Sequence, residues 1–167
     1  MVQLFMIRHG LAGNSLEDEA MDEERPLTKK GKEKMKEIAK GMKKMKMHFD
    51  IVLTSPLLRS RETAEIIHAY CGRNEEPMVT ELLSPYSSYK SLIRLLNKHK
   101  ESSSLALIGH EPFLSGFASY CLSNNDNSFL CLKKGGALML EIDRTIKPGN
   151  CLLTWLMEPK QIIQCNA

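Results

Sequence analysis

Short apolar runs alternate with 3.6-residue apolar stripes from the first residues of the chain. Residues 2–7 form a run of buried-strand length that stops at Arg8-His9-Gly10. A polar stretch over 13–26 follows, crowded with Glu17, Asp18, Glu19, Asp22, Glu23 and Glu24. Thr28 then stands as an N-cap before a helical stripe of Met35, Ile38, Ala39, Met42 and Met45, whose other face is nearly all lysine. Residues 50–54 predict a second strand. Ser55-Pro56 predicts the start of the next helix, since proline is favoured in the first helical position, with Ala64, Ile67 and Cys71 on its buried side. Residues 78–83 predict a third strand, and Leu92, Leu95, Leu96 and His99 mark one side of a third helix. Residues 105–108 predict a fourth strand ending at Gly109-His110-Glu111-Pro112, after which Phe113, Phe117 and Tyr120 open a fourth helix. Beyond Asn127 the period falls to two. Residues 129–133 and 137–142 flank Gly135-Gly136, which predicts a hairpin, and residues 151–157 predict a last strand. Four strand–helix units followed by a β-meander, with no repeat or linker, predict one α/β domain over residues 1–167 with a mainly parallel sheet.

Composition agrees with a folded domain: 43% of the 167 residues are hydrophobic and 26% charged. A net charge of +3 is too mild to imply nucleic acid without a clustered basic face beside aromatic platforms. No apolar run approaches the roughly 20 residues of a membrane span, and the first run has no charged segment ahead of it, so neither a membrane protein nor a signal peptide is expected. Five cysteines, an odd number without CxxC spacing, read as reduced thiols. A cytoplasmic protein, monomeric, with no nucleic-acid or membrane partner, is the expectation.

The chemically loaded residues fall at one kind of place. Arg8 and His9 end the first strand, Arg59 lies in the first turn after the second, and His110 ends the fourth. In open α/β sheets, ligands bind outside the carboxyl ends of the strands, where helix N-termini also favour anions. Two guanidiniums and two imidazoles in one crevice suit a phosphoryl group. Taken singly, a His-Gly at a strand end is a structural feature and Arg59 a solvated helix charge; their joint occurrence points to a site.

These residues also resemble a known family. Ile7-Arg8-His9-Gly10 looks like the RHG signature of the histidine phosphatase superfamily, with its phosphoglycerate-mutase-like fold. Arg25-Pro26-Leu27-Thr28 with Gly31, the segment from Thr54 to Ala64 carrying Arg59, and Gly109-His110-Glu111-Pro112 are similar to its later landmarks, in family order. Short length and the closing Trp155-Leu156-Met157-Glu158-Pro159 look most like the SixA-type phosphohistidine phosphatases. The resemblance implies a three-layer α/β/α domain, His9 as the nucleophile that becomes phosphohistidine, and Arg8, Arg59 and His110 as donors to the phosphoryl oxygens. It implies no metal and no cofactor, since the arginines supply the positive charge. An imidazole of ordinary pKa near 6.5 is partly neutral at pH 7, and flanking cations favour that form. His48, His68 and His99 lack ligand spacing and read as surface or helix-face residues.

Larger members of the family place a carboxylic acid after the third strand. Glu81 is the tentative general acid here, with strand capping as its plainer account and Asp18 and Asp22 as rivals. An alkoxide leaving group needs a placed acid more than the nitrogen of a phosphoramidate does. Residues 81–110 leave room for one helix and one strand, with no insertion to roof the site, which suits a phosphorylated protein surface. The expected function is therefore metal-independent dephosphorylation of phosphohistidine in a protein partner. The alternatives are a small-molecule phosphomonoesterase acting on sugar or nucleotide phosphates and, from another class, a non-catalytic phosphoprotein-binding module. The lysine-rich stretch 29–46 reads first as a solvated helix face, and otherwise as a docking face for an acidic protein.

Overall fold

A computed structural model describes residues 1–14, 19–73, 75–99 and 101–166. The centre of the molecule is β1 (Val2–Arg8) beside β4 (Ser104–Gly109), paired in parallel from Gln3 with Ser104 to Arg8 with Gly109. Next to β4 lie β2 (Ile51–Thr54) and then the two-residue β3 (Met78–Val79), both parallel to it. On the other side of β1 come β5 (Ala137–Ile142) and β6 (Leu152–Met157), each antiparallel to its neighbour. The order is β3-β2-β4-β1-β5-β6, a mixed and mostly parallel sheet in one α/β domain.

The alternating side chains of the strands build two cores. Leu4 and Met6 of β1, with Leu105 and Leu107 of β4, face α4 (Tyr89–Lys98) and α5 (Phe113–Ser123). Phe5 and Ile7, with Ala106 and Ile108, face α2 (Lys29–Lys44), α3 (Leu58–Cys71) and α6 (Pro159–Gln164). Helices on both faces give the three layers. Both faces of β1 and β4 are buried, as a continuous apolar run demands and as parallel strands covered by helices require. Each fully buried Leu or Ile there contributes about 1.5–3 kcal/mol relative to exposure.

Local chemistry explains the element ends. Thr28 caps α2 by accepting from the Gly31 N–H at 2.9 Å. Leucine positions 92 and 96 bury one side of α4, and Ser88 caps it. At Gly41, a Cβ would lie 2.1 Å from the Ile162 carbonyl oxygen, so the glycine lets α6 pack directly on α2.

Three sequence expectations need correction. The third strand stops at Val79, because the Thr80 hydroxyl accepts from Leu82 N–H and starts the 3₁₀ turn Glu81–Leu83. The helix after β2 begins at Leu58, two residues past Pro56, while Ser55 stays in the strand-end conformation and bonds elsewhere. Residues 129–133 are not a strand: β5 has both edges taken, by β1 and β6, so the expected hairpin ladder with β5 is closed to them. Two short helices were also unforeseen, α1 (Glu19–Glu23) within the acidic stretch and α6, which is closed by a capping box between Glu158 and Gln161. The five cysteines are free thiols, and among the described residues no helix is long and apolar enough to cross a membrane.

Candidate active site

The register of β1 on β4 decides the site. Because Arg8 pairs with Gly109, the next residues of the two strands, His9 and His110, emerge side by side. The His9 N–H extends the ladder to the Gly109 carbonyl at 3.0 Å, and their ring centroids lie 5.1 Å apart. β2 ends level with them, since the Ser55 N–H donates to the Ile108 carbonyl at 3.0 Å. This brings the start of α3, and with it Arg59, to the same edge. Arg8, His9, Arg59 and His110 line one cavity of about 480 Å³, together with Arg25 and Lys134.

Each side chain is held. His9 is 6% exposed, and its Nδ1 lies 2.8 Å from the Gly10 carbonyl oxygen. A carbonyl can only accept, so Nδ1 carries the proton and Nε2 keeps its lone pair. Thr63 accepts from the Gly10 N–H and donates to the Arg59 carbonyl, tying the RHG turn to α3. The His110 Nε2 lies 2.7 Å from the Ser55 hydroxyl and 3.2 Å from that of Ser60, while its Nδ1 has no partner. Arg8 donates to the Leu132 carbonyl at 2.8 Å. Arg59, 6% exposed, donates to the Asp22 carbonyl at 2.8 Å and pairs with its carboxylate at 3.3 Å. Arg25 meets the same carboxylate at 2.8 Å.

Burial is the main force on both imidazoles. It takes His9 down to about 4, with Arg59, Arg8 and Lys134 adding in the same direction against the Gly10 bond. His110 goes to about 3, by burial first and then by His9, Arg59 and Arg8. Both rings are therefore neutral at pH 7. Burial also lowers Arg59 from its ordinary value, helped by Arg25 and opposed by Asp22.

Of the carboxylates singled out in the sequence, Asp22 reaches the cavity as the counter-ion of two arginines, and Asp18 lies outside the described residues. Glu81 does not join the cluster. It is exposed on the 3₁₀ turn, where it accepts from the Ser84 hydroxyl at 3.0 Å, and Pro85 is the residue of that segment that lines the cavity. Besides Asp22, the carboxylate that lines the cavity is Glu111, the residue after His110. Burial raises its pKa; its Oε2 accepts from the Ser115 hydroxyl and its Oε1 has no partner. Sequence reasoning also missed Ser55, Ser60 and Lys134. The first two stood inside the segment quoted for Arg59, and Lys134 stood beside the Gly135-Gly136 turn. Among the described residues, no three His, Cys, Asp or Glu side chains are grouped as metal ligands.

Residues 4–84 match the model of the histidine phosphatase superfamily (branch 1). An uncharacterized protein of Picosynechococcus sp. is 36% identical over 141 residues, covering 83% of this chain and 84% of that protein. Among solved structures, the protein histidine phosphatase SixA complexed with tungstate is similar at a TM-score of 0.83 and 23% identity, over 96% of this chain and 99% of that one. A mutant phosphoserine phosphatase from Entamoeba histolytica, in complex with phosphoserine, gives 0.71 and 16%, over 96% and 98%. The alpha-ribazole phosphatase from Shigella flexneri gives 0.69 and 14%, over 95% and 97%. These structures share the phosphoglycerate-mutase-like fold. With its fold, its ordered motifs and its sequence match in agreement, the chain belongs to the histidine phosphatase superfamily, branch 1.

Proposed function

We propose that this phosphatase removes phosphate from phosphohistidine in a protein partner, by transfer of the phosphoryl group to His9. The observation that carries the chemistry is the pair of buried, neutral imidazoles 5.1 Å apart between two arginines. The His9 Nε2 lone pair attacks phosphorus, the P–N bond of the substrate breaks, and its electron pair returns to the substrate imidazole, which takes up a proton. Water then attacks phospho-His9, releasing inorganic phosphate and restoring the lone pair. In a loose transition state, charge spreads over the three equatorial oxygens. Arg8 and Arg59 neutralise that charge. In the tautomer whose Nε2 accepts from the Ser55 hydroxyl, His110 carries its proton on the unpartnered Nδ1, which would add a donor to a phosphoryl oxygen. One such donor is commonly worth about 10²–10³ in rate.

Two features support a protein phosphohistidine as substrate. Between the 3₁₀ turn and β4 the described residues hold only α4, whose Leu92, Ile93 and Leu96 pack into the core, so these residues add no helix over the cavity mouth. The exposed Glu81 leaves the position after β3 without a carboxylate in the cavity, which a nitrogen leaving group tolerates. The likeness to SixA, a protein histidine phosphatase, points the same way.

One observation favours a small-molecule phosphomonoesterase instead. Glu111 lines the cavity with its pKa raised by burial, as a proton donor to an alkoxide requires. The test is a parallel assay on a histidine-phosphorylated protein, a phosphoserine peptide and common sugar phosphates. The expected result is a kcat/KM for the phosphohistidine protein at least a hundredfold above the others. Equal or greater activity on a sugar phosphate would give the monoesterase reading its place.

A further inference from the structure

A second cavity, also of about 480 Å³, adjoins the catalytic one and shares Arg8 and Lys134 with it. Its other charged walls are Lys34 of α2, Lys133, and Glu158 and Lys160 around the start of α6. Five cations against one carboxylate give this groove more positive charge than the +3 of the whole chain, so the rest of the molecule is slightly negative. Among the described residues, only Lys133 of these lysines has a carboxylate partner, Glu158 at 2.6 Å.

The fold holds the groove in place. The Gly135 N–H lies 3.1 Å from the Arg8 carbonyl and 3.2 Å from that of His9, so the Lys133-Lys134 turn is clamped to the end of β1. Gly135 has φ +78°, and a Cβ there would meet Ile38 Cδ1 at 2.7 Å, which fixes both the residue type and the seat of the turn on α2. The close approach at Gly41 sets α6, and hence Lys160, against the helix that carries Lys34. Three separate segments thus deliver lysines to one channel running out from the phosphoryl site. A scattered solvated helix face does not do this.

We infer that this groove seats an acidic segment of the phosphorylated protein, next to the phosphohistidine whose phosphoryl group enters the catalytic cavity. The inference rests on the phosphohistidine reading and adds the character of the partner. Carboxylates flanking the phosphorylated residue meet Lys134 first, then Lys34, Lys133 and Lys160. Attraction of this kind raises association rates by about 10–10³-fold and is screened by salt.

The test uses the full chain and synthetic peptides in pairs, one with Asp and Glu flanking the phosphorylated residue and one with Ser and Gln. Each pair is made with phosphohistidine and with phosphoserine. Wild type should show a kcat/KM at least about tenfold higher for the acidic phosphohistidine peptide, and the preference should vanish in about 1 M salt, where the Debye length is about 3 Å. K34E/K160E should abolish the preference. K90E/K98E places the same charge change on the exposed face of α4, across the sheet, and should keep both the preference and the basal rate. No preference in wild type, a preference that survives K34E/K160E, or equal loss in both double variants would overturn the inference. So would a small bisphosphate that competes better than the acidic peptide. The ratio of acidic to neutral flanks is read within each series, whereas the phosphohistidine reading fails on the comparison between series, so the two failures are distinct.

Discussion

Burial beside three cations keeps His9, the proposed nucleophile, neutral far below the pH at which a free imidazole protonates. In an NMR titration, the His9 and His110 rings should stay neutral down to about pH 5; titration of either near 6.5 would contradict the site electrostatics. The sign of the linked stability follows. Between pH 6.5 and about 4 the unfolded chain binds protons that the folded rings refuse, so stability falls as the pH falls through that window. Each ring contributes up to about 1.4 kcal/mol per pH unit there, and H9N should flatten the dependence of Tm on pH. A steeper acid loss in H9N would show that other groups set it. The carboxylates divide differently. Glu81→Gln should leave phosphohistidine hydrolysis within about tenfold of wild type, because the side chain lies outside the cavity. Glu111→Gln should lower phosphomonoester hydrolysis by about 10²–10⁴ and phosphohistidine hydrolysis by less. Equal losses from Glu111→Gln, with the fold intact by circular dichroism, would give Glu111 a part in both reactions. Arg8, His9, Arg59 and His110 were legible because each sits at a strand end or just past one. Ser55, Ser60 and Glu111 were not, since a hydroxyl or carboxylate beside a marked residue takes its meaning from a register that only pairing reveals.

The turn before β5 shows what one element contributes. Gly135 makes the bend and the contact that hold Arg8 and Lys134, so Gly135→Ala meets both a positive φ and Ile38. It should cost at least about 1 kcal/mol of stability and lower kcat/KM more than a core Leu→Val change of equal Tm loss. A drop in Tm with activity per folded molecule unchanged would mean that the turn is structural only. The Gly-Gly pair was readable as a turn, but the strand expected before it was not there. Period-two patterning describes a chain that could lie in a sheet; it does not say whether an edge is open, and β1 and β6 close both edges of β5. The stripe of α2 and the runs of β1 and β4 were readable to within a residue at their ends, because burial on one face or on both leaves an unambiguous period.

At the scale of the molecule, a parallel sheet collects distant segments at one edge, and burial keeps the collected imidazoles neutral while the arginines stay charged. Positive charge fixed in the chain means that activity should survive exhaustive chelation; loss in EDTA that Mg²⁺ or Zn²⁺ restores would contradict it. The most direct measurement is of the phosphoryl group itself. Wild type turning over a radiolabelled phosphohistidine protein is quenched in base, where phosphohistidine persists, and the labelled residue is mapped. Label at His9 that is lost in acid, with no label and no turnover in a folded H9A, is the predicted result. Label on another residue, or turnover by H9A, would contradict it.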